Sequence, residues 1–123
     1  MITDPFQKIY KSEAYKNQHK QIPEFPLIVD IEPTNACNLK CTFCNRQLMS
    51  RPVTFMSCKQ ARKIIDEVSE HPESAIRFSG WGEPLLHPQI LDMVKYATKK
   101  NVLTHLTTNA TKLYPNVSAH LLL

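Results

Sequence analysis

Three short apolar runs alternate with amphipathic segments along this chain, and that alternation limits the folds it can adopt. The runs cover residues 27–32, 75–79 and 102–108, and their β-branched and apolar side chains predict buried strands. Helical patterns follow the first two runs, over residues 57–71 and 88–100. Strands that alternate with helices form parallel sheets with right-handed crossovers, so the sequence predicts an α/β fold with a parallel sheet.

Local signals mark where the helices begin. Residues 57–60 have the form of a capping box, and Pro88 suits the first turn of the next helix. Asn116 or Ser118 is the predicted cap of a third helix that begins with Val117. Apolar side chains at helical spacing give the first two helices one inward face each: Ala61, Ile64, Ile65 and Val68, then Ile90, Leu91, Val94 and Ala97.

Each predicted strand is followed by a segment with distinctive side chains. A loop over about residues 34–56 carries three cysteines, a turn at residues 79–84 contains both glycines of the chain, and residues 107–111 are rich in Thr and Asn. Ligands of parallel sheets bind at the C-terminal ends of the strands. We therefore expect the three segments to meet at one edge of the sheet.

Cys37, Cys41 and Cys44 form a C-x3-C-x2-C array. Thiolate is the soft ligand that iron and zinc prefer. The spacing matches neither the paired ligands of zinc fingers nor the four-cysteine run of bacterial ferredoxins. Three thiolates can converge on one four-iron cluster and leave one iron open to an outside molecule, and a zinc site is the alternative.

The array resembles the signature of radical S-adenosylmethionine (radical SAM) enzymes, in which an aromatic residue precedes the last cysteine. Phe43 stands at that position. Residues 31–36, Ile-Glu-Pro-Thr-Asn-Ala, look like the lead-in of the peptide-maturase (SPASM-type) branch. The resemblance implies that Cys37, Cys41 and Cys44 hold a [4Fe–4S] cluster and that Phe43 lies near the adenine of S-adenosylmethionine.

The turn Gly80-Trp81-Gly82-Glu83-Pro84 resembles the Gly-Gly-Glu-Pro motif of the same family. Gly82, Glu83 and Pro84 match residue by residue, whereas Trp81 replaces the usual first glycine. The resemblance implies that the backbone of Gly80, Trp81 and Gly82 and the carboxylate of Glu83 hold the methionyl ammonium group. An ordinary strand-to-helix turn is the alternative.

Residues 107–111 resemble the Thr-Asn-Gly segment that follows the third strand in this family, with Ala110 in place of the common glycine. Two roles are open to Asn109. It either bonds the carboxylate or ribose of S-adenosylmethionine or caps the end of the strand.

The resemblance implies an enzyme that takes one electron from a flavodoxin- or ferredoxin-type reductant. It would cleave S-adenosylmethionine to a 5′-deoxyadenosyl radical, which abstracts hydrogen from a substrate. The resemblance to the peptide-maturase branch, by itself, implies a peptide substrate. The family fold is a partial (β/α)6 TIM-like barrel, and three strand–helix units make its N-terminal half. Residues 26–123 are thus expected to be an incomplete core domain, truncated at three leucines, whose partner is the missing half of the barrel.

Residues 1–25 are a polar lead-in with one predicted short helix around residues 5–15. An incomplete barrel would leave the third strand with an unpaired edge, so we expect oligomers or poor solubility. A truncated, catalytically incomplete iron–sulfur fragment and a non-catalytic zinc-binding module are the alternatives to an enzyme.

Composition and charge limit the partners and the cellular compartment that the sequence predicts. The net charge of +4 comes from scattered Lys and Arg, which gives no indication of a nucleic-acid partner. Neither a secretory signal nor an apolar run of membrane-spanning length is visible. The default expectation is a cytoplasmic protein whose thiols are reduced, and reduced thiols are better interpreted as metal ligands or free thiols than as disulfides.

Four further side chains are assigned modest roles. Cys58 is interpreted as a small half-buried residue, not a ligand, and His87 as a surface residue at a helix start. Lys40 and Arg46 flank the cysteines, and their charges are expected to be solvated or to offset the charge of a cluster.

Overall fold

A three-stranded parallel sheet organises the protein. The computed structural model describes residues 4–18 and 22–121. Strands β1 (Ile28–Ile31), β2 (Ala75–Phe78) and β3 (Leu103–Leu106) pair in the order β1-β2-β3. Their last residues lie side by side in register: Ile31, Phe78 and Leu106. The predicted parallel α/β sheet is confirmed, and within the described residues β3 lies at an edge.

Five α-helices accompany the sheet in the described residues. They are α1 (Phe6–Lys11), α2 (Glu13–Asn17), α3 (Cys58–Ser69), α4 (Ile90–Lys99) and α5 (Pro115–Leu121). Helix α3 connects β1 to β2, and α4 connects β2 to β3, as the alternation predicts. None of the helices in the described ranges is long and apolar enough to span a bilayer.

The capping box predicted at the start of α3 is present. Ser57 Oγ accepts the backbone N–H of Gln60 at 3.2 Å, and Gln60 Oε1 accepts the backbone N–H of Ser57 at 3.1 Å. The apolar faces of α3 and α4 then pack on one face of the sheet, where the buried side chains are Ala61, Ile65, Val68, Ile90, Met93, Val94 and Ala97. Full burial of each Ile or Val stabilises the fold by about 1.5–3 kcal/mol.

A left-handed residue ends α4 and starts the return to the sheet. Asn101 has a φ of 58°. The backbone N–H of Val102 donates to Ala97 O and that of Asn101 to Thr98 O, both at 3.0 Å. This is the Schellman arrangement, which satisfies the last carbonyls of the helix and directs the chain into β3.

Three sequence predictions about helix limits are wrong. The lead-in forms two helices, because Ser12 stops α1 and its hydroxyl caps α2 by accepting the N–H of Tyr15. Helix α4 begins at Ile90, beyond Pro88. Helix α5 begins at Pro115, so Asn116, Val117 and Ser118 lie inside it. Proline is favoured at a first helical position because its missing N–H needs no partner there.

The lead-in packs on the sheet face opposite α3 and α4. Phe6 is buried, and its ring centroid lies 5.3 Å from that of His105 on β3. On the same face Arg77 forms a two-pronged ion pair with Asp30, at 2.5 and 2.7 Å. The Arg77 hydrogen bonds are the main cause that lowers the pKa of Asp30.

Candidate functional site

The loop that carries the three cysteines is closed at its base by Asn35. This side chain is 2% exposed. Its Nδ2 donates to Pro52 O at 2.8 Å, and its Oδ1 accepts the backbone N–H of Thr54 at 2.7 Å. A buried amide with both ends satisfied fixes the two limbs of the loop against each other.

His87 holds the far limb of the same loop. Its Nδ1 accepts the backbone N–H of Gln89 at 3.0 Å, so Nε2 carries the proton and donates to Met56 O at 2.8 Å. The imidazole is 3% exposed. The prediction of a surface role is therefore wrong, because the ring is buried and forms a hydrogen bond with a carbonyl 31 residues upstream.

The three cysteines occupy the middle of this loop. Cys37, Cys41 and Cys44 are all half-buried and free of disulfides, and a turn links the N–H of Cys44 to Cys41 O at 3.1 Å. Cys37 Sγ accepts the backbone N–H of Leu39 at 3.5 Å. Within residues 4–18 and 22–121, no three His, Cys, Asp or Glu side chains are gathered as a group that could hold a metal ion.

Gly82 allows the turn after β2 to lie directly on the backbone that leads into the cysteines. A Cβ at this position would lie 2.0 Å from Thr34 O and 2.7 Å from Ala36 O, which no side chain tolerates. The next N–H, that of Glu83, donates to Ala36 O at 2.7 Å. The first and second predicted segments are therefore in direct backbone contact.

The Glu83 carboxylate joins the second segment to the third. Its Oε1 accepts Leu85 N–H at 2.9 Å and the Thr108 hydroxyl at 2.6 Å, and its Oε2 accepts Asn109 N–H at 2.6 Å. Glu83 is 2% exposed. Three donors offset the cost of burying this charge, so the carboxylate fastens the turn to the end of β3.

Asn109 joins the third segment back to the first. Its Nδ2 donates to Asn38 Oδ1 at 3.1 Å and lies 3.8 Å from Cys37 Sγ. Its Oδ1 accepts the backbone N–H of Thr111, whose hydroxyl in turn accepts from Asn38 Nδ2 at 2.8 Å. The predicted meeting of the three segments at one sheet edge is thus present in the structure.

Two aromatic side chains are exposed near the C-terminal ends of the strands. Phe43 is 88% exposed and Trp81 is 46% exposed. Glu32 holds the turn beneath Trp81, because its Oε2 accepts the Trp81 backbone N–H at 2.8 Å while its other oxygen pairs with Arg51. Both aromatic surfaces are accessible to a ligand.

Several residues that shape the site were not found by sequence reasoning. Arg46 was expected to be a solvated or cluster-facing charge, yet its Nε donates to Asn35 O at 2.7 Å. Asn35 and Glu32 were noted only as part of residues 31–36, which resemble the lead-in of the peptide-maturase branch, and were assigned no role of their own. The roles of these residues depend on which group each polar side chain bonds in the folded chain, and residue spacing in the sequence does not indicate those partners. Cys58 packs half-buried against the core, as expected.

The sequence model of the Radical SAM superfamily matches residues 31–121, which include all three segments. The chain belongs to this superfamily. Relatives of the chain include a tungsten-containing aldehyde ferredoxin oxidoreductase cofactor-modifying protein from Pyrococcus furiosus. It is 36% identical over 84 residues, which are 68% of this chain and 24% of that protein.

Another radical SAM relative is the mycofactocin maturase MftC of Mycobacterium ulcerans, 33% identical over 96 residues, or 78% of this chain and 26% of that protein. The chain thus spans about a quarter of the length of these relatives. The fold is similar to that of BtrN, solved in complex with AdoMet and 2-DOIA, with a TM-score of 0.73 and 20% identity. The similarity covers 82% of this chain and 43% of BtrN.

Proposed function

We propose that residues 26–123 are part of the core domain of a radical SAM enzyme, which binds a [4Fe–4S] cluster and S-adenosylmethionine. The observation that carries the proposal is the contact between the cysteine loop, the glycine turn and the end of β3. Backbone and side-chain hydrogen bonds bring these three segments together at the C-terminal edge of the sheet. That edge is where parallel sheets bind ligands.

The donor set fits an iron–sulfur cluster. Cys37, Cys41 and Cys44 are three soft ligands on one loop, and none is engaged in a disulfide. The loop that carries them is closed at its base by Asn35 and on its far limb by His87, and cluster binding would draw the three thiols together. A cluster held by three thiolates keeps one iron free for the amino and carboxylate groups of S-adenosylmethionine.

The remaining residues of the edge are assigned to the second cofactor. Backbone carbonyls of Gly80, Trp81 and Gly82 would accept hydrogen bonds from the methionyl ammonium group. Among the described residues one hydrogen bond reaches Glu83 Oε2, so this oxygen retains a lone pair for the same cation. Phe43, with its exposed ring, would pack near the adenine.

When bound, the cluster and S-adenosylmethionine would together supply the radical chemistry for hydrogen abstraction from a substrate. The residues of this chain bind and orient the two groups and hold them at the sheet edge. A flavodoxin- or ferredoxin-type protein is the proposed electron donor. A peptide is the proposed substrate, because residues 31–36 resemble the lead-in of the peptide-maturase branch.

A partial barrel is the proposed larger architecture. Three strand–helix units are present, β3 lies at an edge of the sheet in the described residues, and the similarity to BtrN covers 43% of that chain. Further strands would pair with β3 and complete the substrate pocket. A reducing compartment such as the cytoplasm is the proposed location, because it keeps the three thiols available for iron.

Metal content after anaerobic reconstitution tests the proposal, and the fourth cysteine provides a matched control. Cys37→Ala, Cys41→Ala and Cys44→Ala should each lose the four irons and four sulfides that the wild-type chain takes up. Cys58→Ala should keep them, because Cys58 packs against the core. Equal loading in Cys41→Ala, or stoichiometric zinc in place of iron and sulfide, would refute the cluster assignment.

A further inference from the structure

The side-chain amide of Asn109 is fully occupied. Its Oδ1 accepts the backbone N–H of Thr111 at 3.0 Å and the Thr111 hydroxyl at 2.7 Å. Its Nδ2 donates to Asn38 Oδ1 at 3.1 Å and is directed at Cys37 Sγ, 3.8 Å away. Four interactions on one amide leave it a single orientation.

Chemistry fixes which end of this amide faces the sulfur. The backbone N–H of Thr111 can only donate, so the atom opposite it must be the amide oxygen. The amide nitrogen therefore points at Cys37 Sγ. Exchanging the two ends would place two donors against each other at Thr111 and remove the donor from the sulfur.

The backbone of Asn109 is fixed as firmly as its side chain. Its N–H donates to the buried carboxylate of Glu83 at 2.6 Å. Cys37 Sγ accepts a second donor, the N–H of Leu39 at 3.5 Å. Two N–H groups are therefore directed at Cys37 Sγ, one from the backbone of Leu39 and one from the side chain of Asn109.

We propose that Asn109 is a positioning residue that acts through Cys37, raising the reduction potential of the cluster that this thiolate holds. The inference rests on the proposed function and deepens it. Hydrogen bonds to cluster sulfurs are among the factors that set the potential of iron–sulfur centres. An N–H donor stabilises the reduced, more negative cluster more than the oxidised one, so its loss makes reduction harder.

A redox titration of the reconstituted chain, followed by the EPR signal of the reduced cluster, tests this role. Asn109→Ala removes the donor, and Asn109→Asp keeps the acceptor for Thr111 while replacing the donor by a negative oxygen. Both variants should titrate at a more negative potential than wild type, because each loses the N–H donor to Cys37 Sγ. Asn109→Asp should be shifted further.

Asn38→Ala is the matched control, because it removes the other partner of the same amide and leaves the contact with Cys37 in place. The cluster of this variant should have the same reduction potential as that of wild type. A potential in Asn109→Ala equal to that of wild type overturns the inference. So does an equal shift in Asn38→Ala, which would point to the loop as a whole.

A second measurement keeps the test decisive if the Asn109 variants do not load a cluster. Wild-type and Asn38→Ala chains carrying ¹⁵N only in asparagine side-chain amides should both show a ¹⁵N coupling to the reduced cluster by pulsed EPR. Absence of that coupling overturns the inference while leaving the cluster intact. A wild-type chain that takes up no iron and sulfide would instead overturn the proposed function, and this inference with it.

Discussion

Glu83 accepts the backbone N–H of Asn109 at 2.6 Å, so a charged hydrogen bond links the turn after β2 to the end of β3. The same carboxylate accepts N–H from Leu85 and O–H from Thr108. The glutamate of a motif interpreted as a cofactor ligand is therefore also a structural fastener of the edge that would bind the cofactor.

Replacing Glu83 by glutamine should destabilise the fold. The new amide nitrogen cannot accept, so at least one of the donors from Leu85 and Asn109 loses its partner in the interior. The free energy of unfolding in urea should fall by about 1–3 kcal/mol. Glu73→Gln, at an exposed position, should stay within about 0.5 kcal/mol of wild type. Equal stability of the two variants would show that the Glu83 network is dispensable.

Ala110 provides a test of opposite sign. Its φ is 62°, a left-handed conformation that costs a residue with a Cβ about 1–2 kcal/mol. Ala110→Gly removes that cost, which outweighs the extra chain entropy that glycine gives the unfolded state, so the free energy of unfolding should rise by up to about 1 kcal/mol. Ala119→Gly, in the exposed part of α5, should lower it by about 1 kcal/mol. An equal decrease in the free energy of unfolding of both variants would contradict backbone strain at Ala110.

Much of the fold could be predicted because its signals are local. The capping box of Ser57 and Gln60 lies within one turn of chain, and the three strands are short, largely apolar runs whose alternation with helices dictates parallel pairing. Even so, Pro84–Leu86 forms a short 3-10 helix that delays α4 to Ile90. A proline suits the first turn of either kind of helix, so the positions of Pro84 and Pro88 did not show that the α-helix begins only at Ile90.

The contacts that hold the site could not be predicted in the same way. Asn35 reaches carbonyl and amide groups 17 and 19 residues away, and the Glu83 carboxylate finds Asn109 after 26 residues. Such partners are chosen by tertiary packing. Sequence reasoning found that the three segments share one edge of the sheet, while the identity of each hydrogen bond required the folded chain.

The pair of Asp30 and Arg77 predicts a specific pH dependence. Because the pKa of Asp30 is lowered in the folded state, the stability from the pair is present above the unfolded value of about 3.9 and is lost as the pH falls through the folded value. Asp30 is 54% exposed, so at pH 7 Asp30→Asn should cost no more than about 1 kcal/mol. The difference should shrink as the pH falls below the unfolded value, because protonated Asp30 no longer carries the charge that pairs with Arg77. A difference that persists in acid would contradict the ion pair as its source.

The edge of β3 predicts self-association. A groove beside this strand is lined by Val94, Leu106, Leu113 and Leu121, and Leu113 is 41% exposed. Unpaired strand edges next to apolar surface promote pairing between chains. Light scattering should detect oligomers that Leu113→Lys reduces, whereas Ile22→Lys, at a 92% exposed position away from this groove, should not. A monomer at all concentrations would refute the prediction.

The most direct test of the cofactor site is low-temperature EPR of the anaerobically reconstituted and reduced chain, recorded with and without S-adenosylmethionine. If Cys37, Cys41 and Cys44 hold a four-iron cluster with one open iron, a [4Fe–4S]⁺ signal will appear and its shape will change when S-adenosylmethionine is added. A chain that binds zinc and shows no such signal, or a signal that S-adenosylmethionine leaves unchanged, would contradict the proposed site.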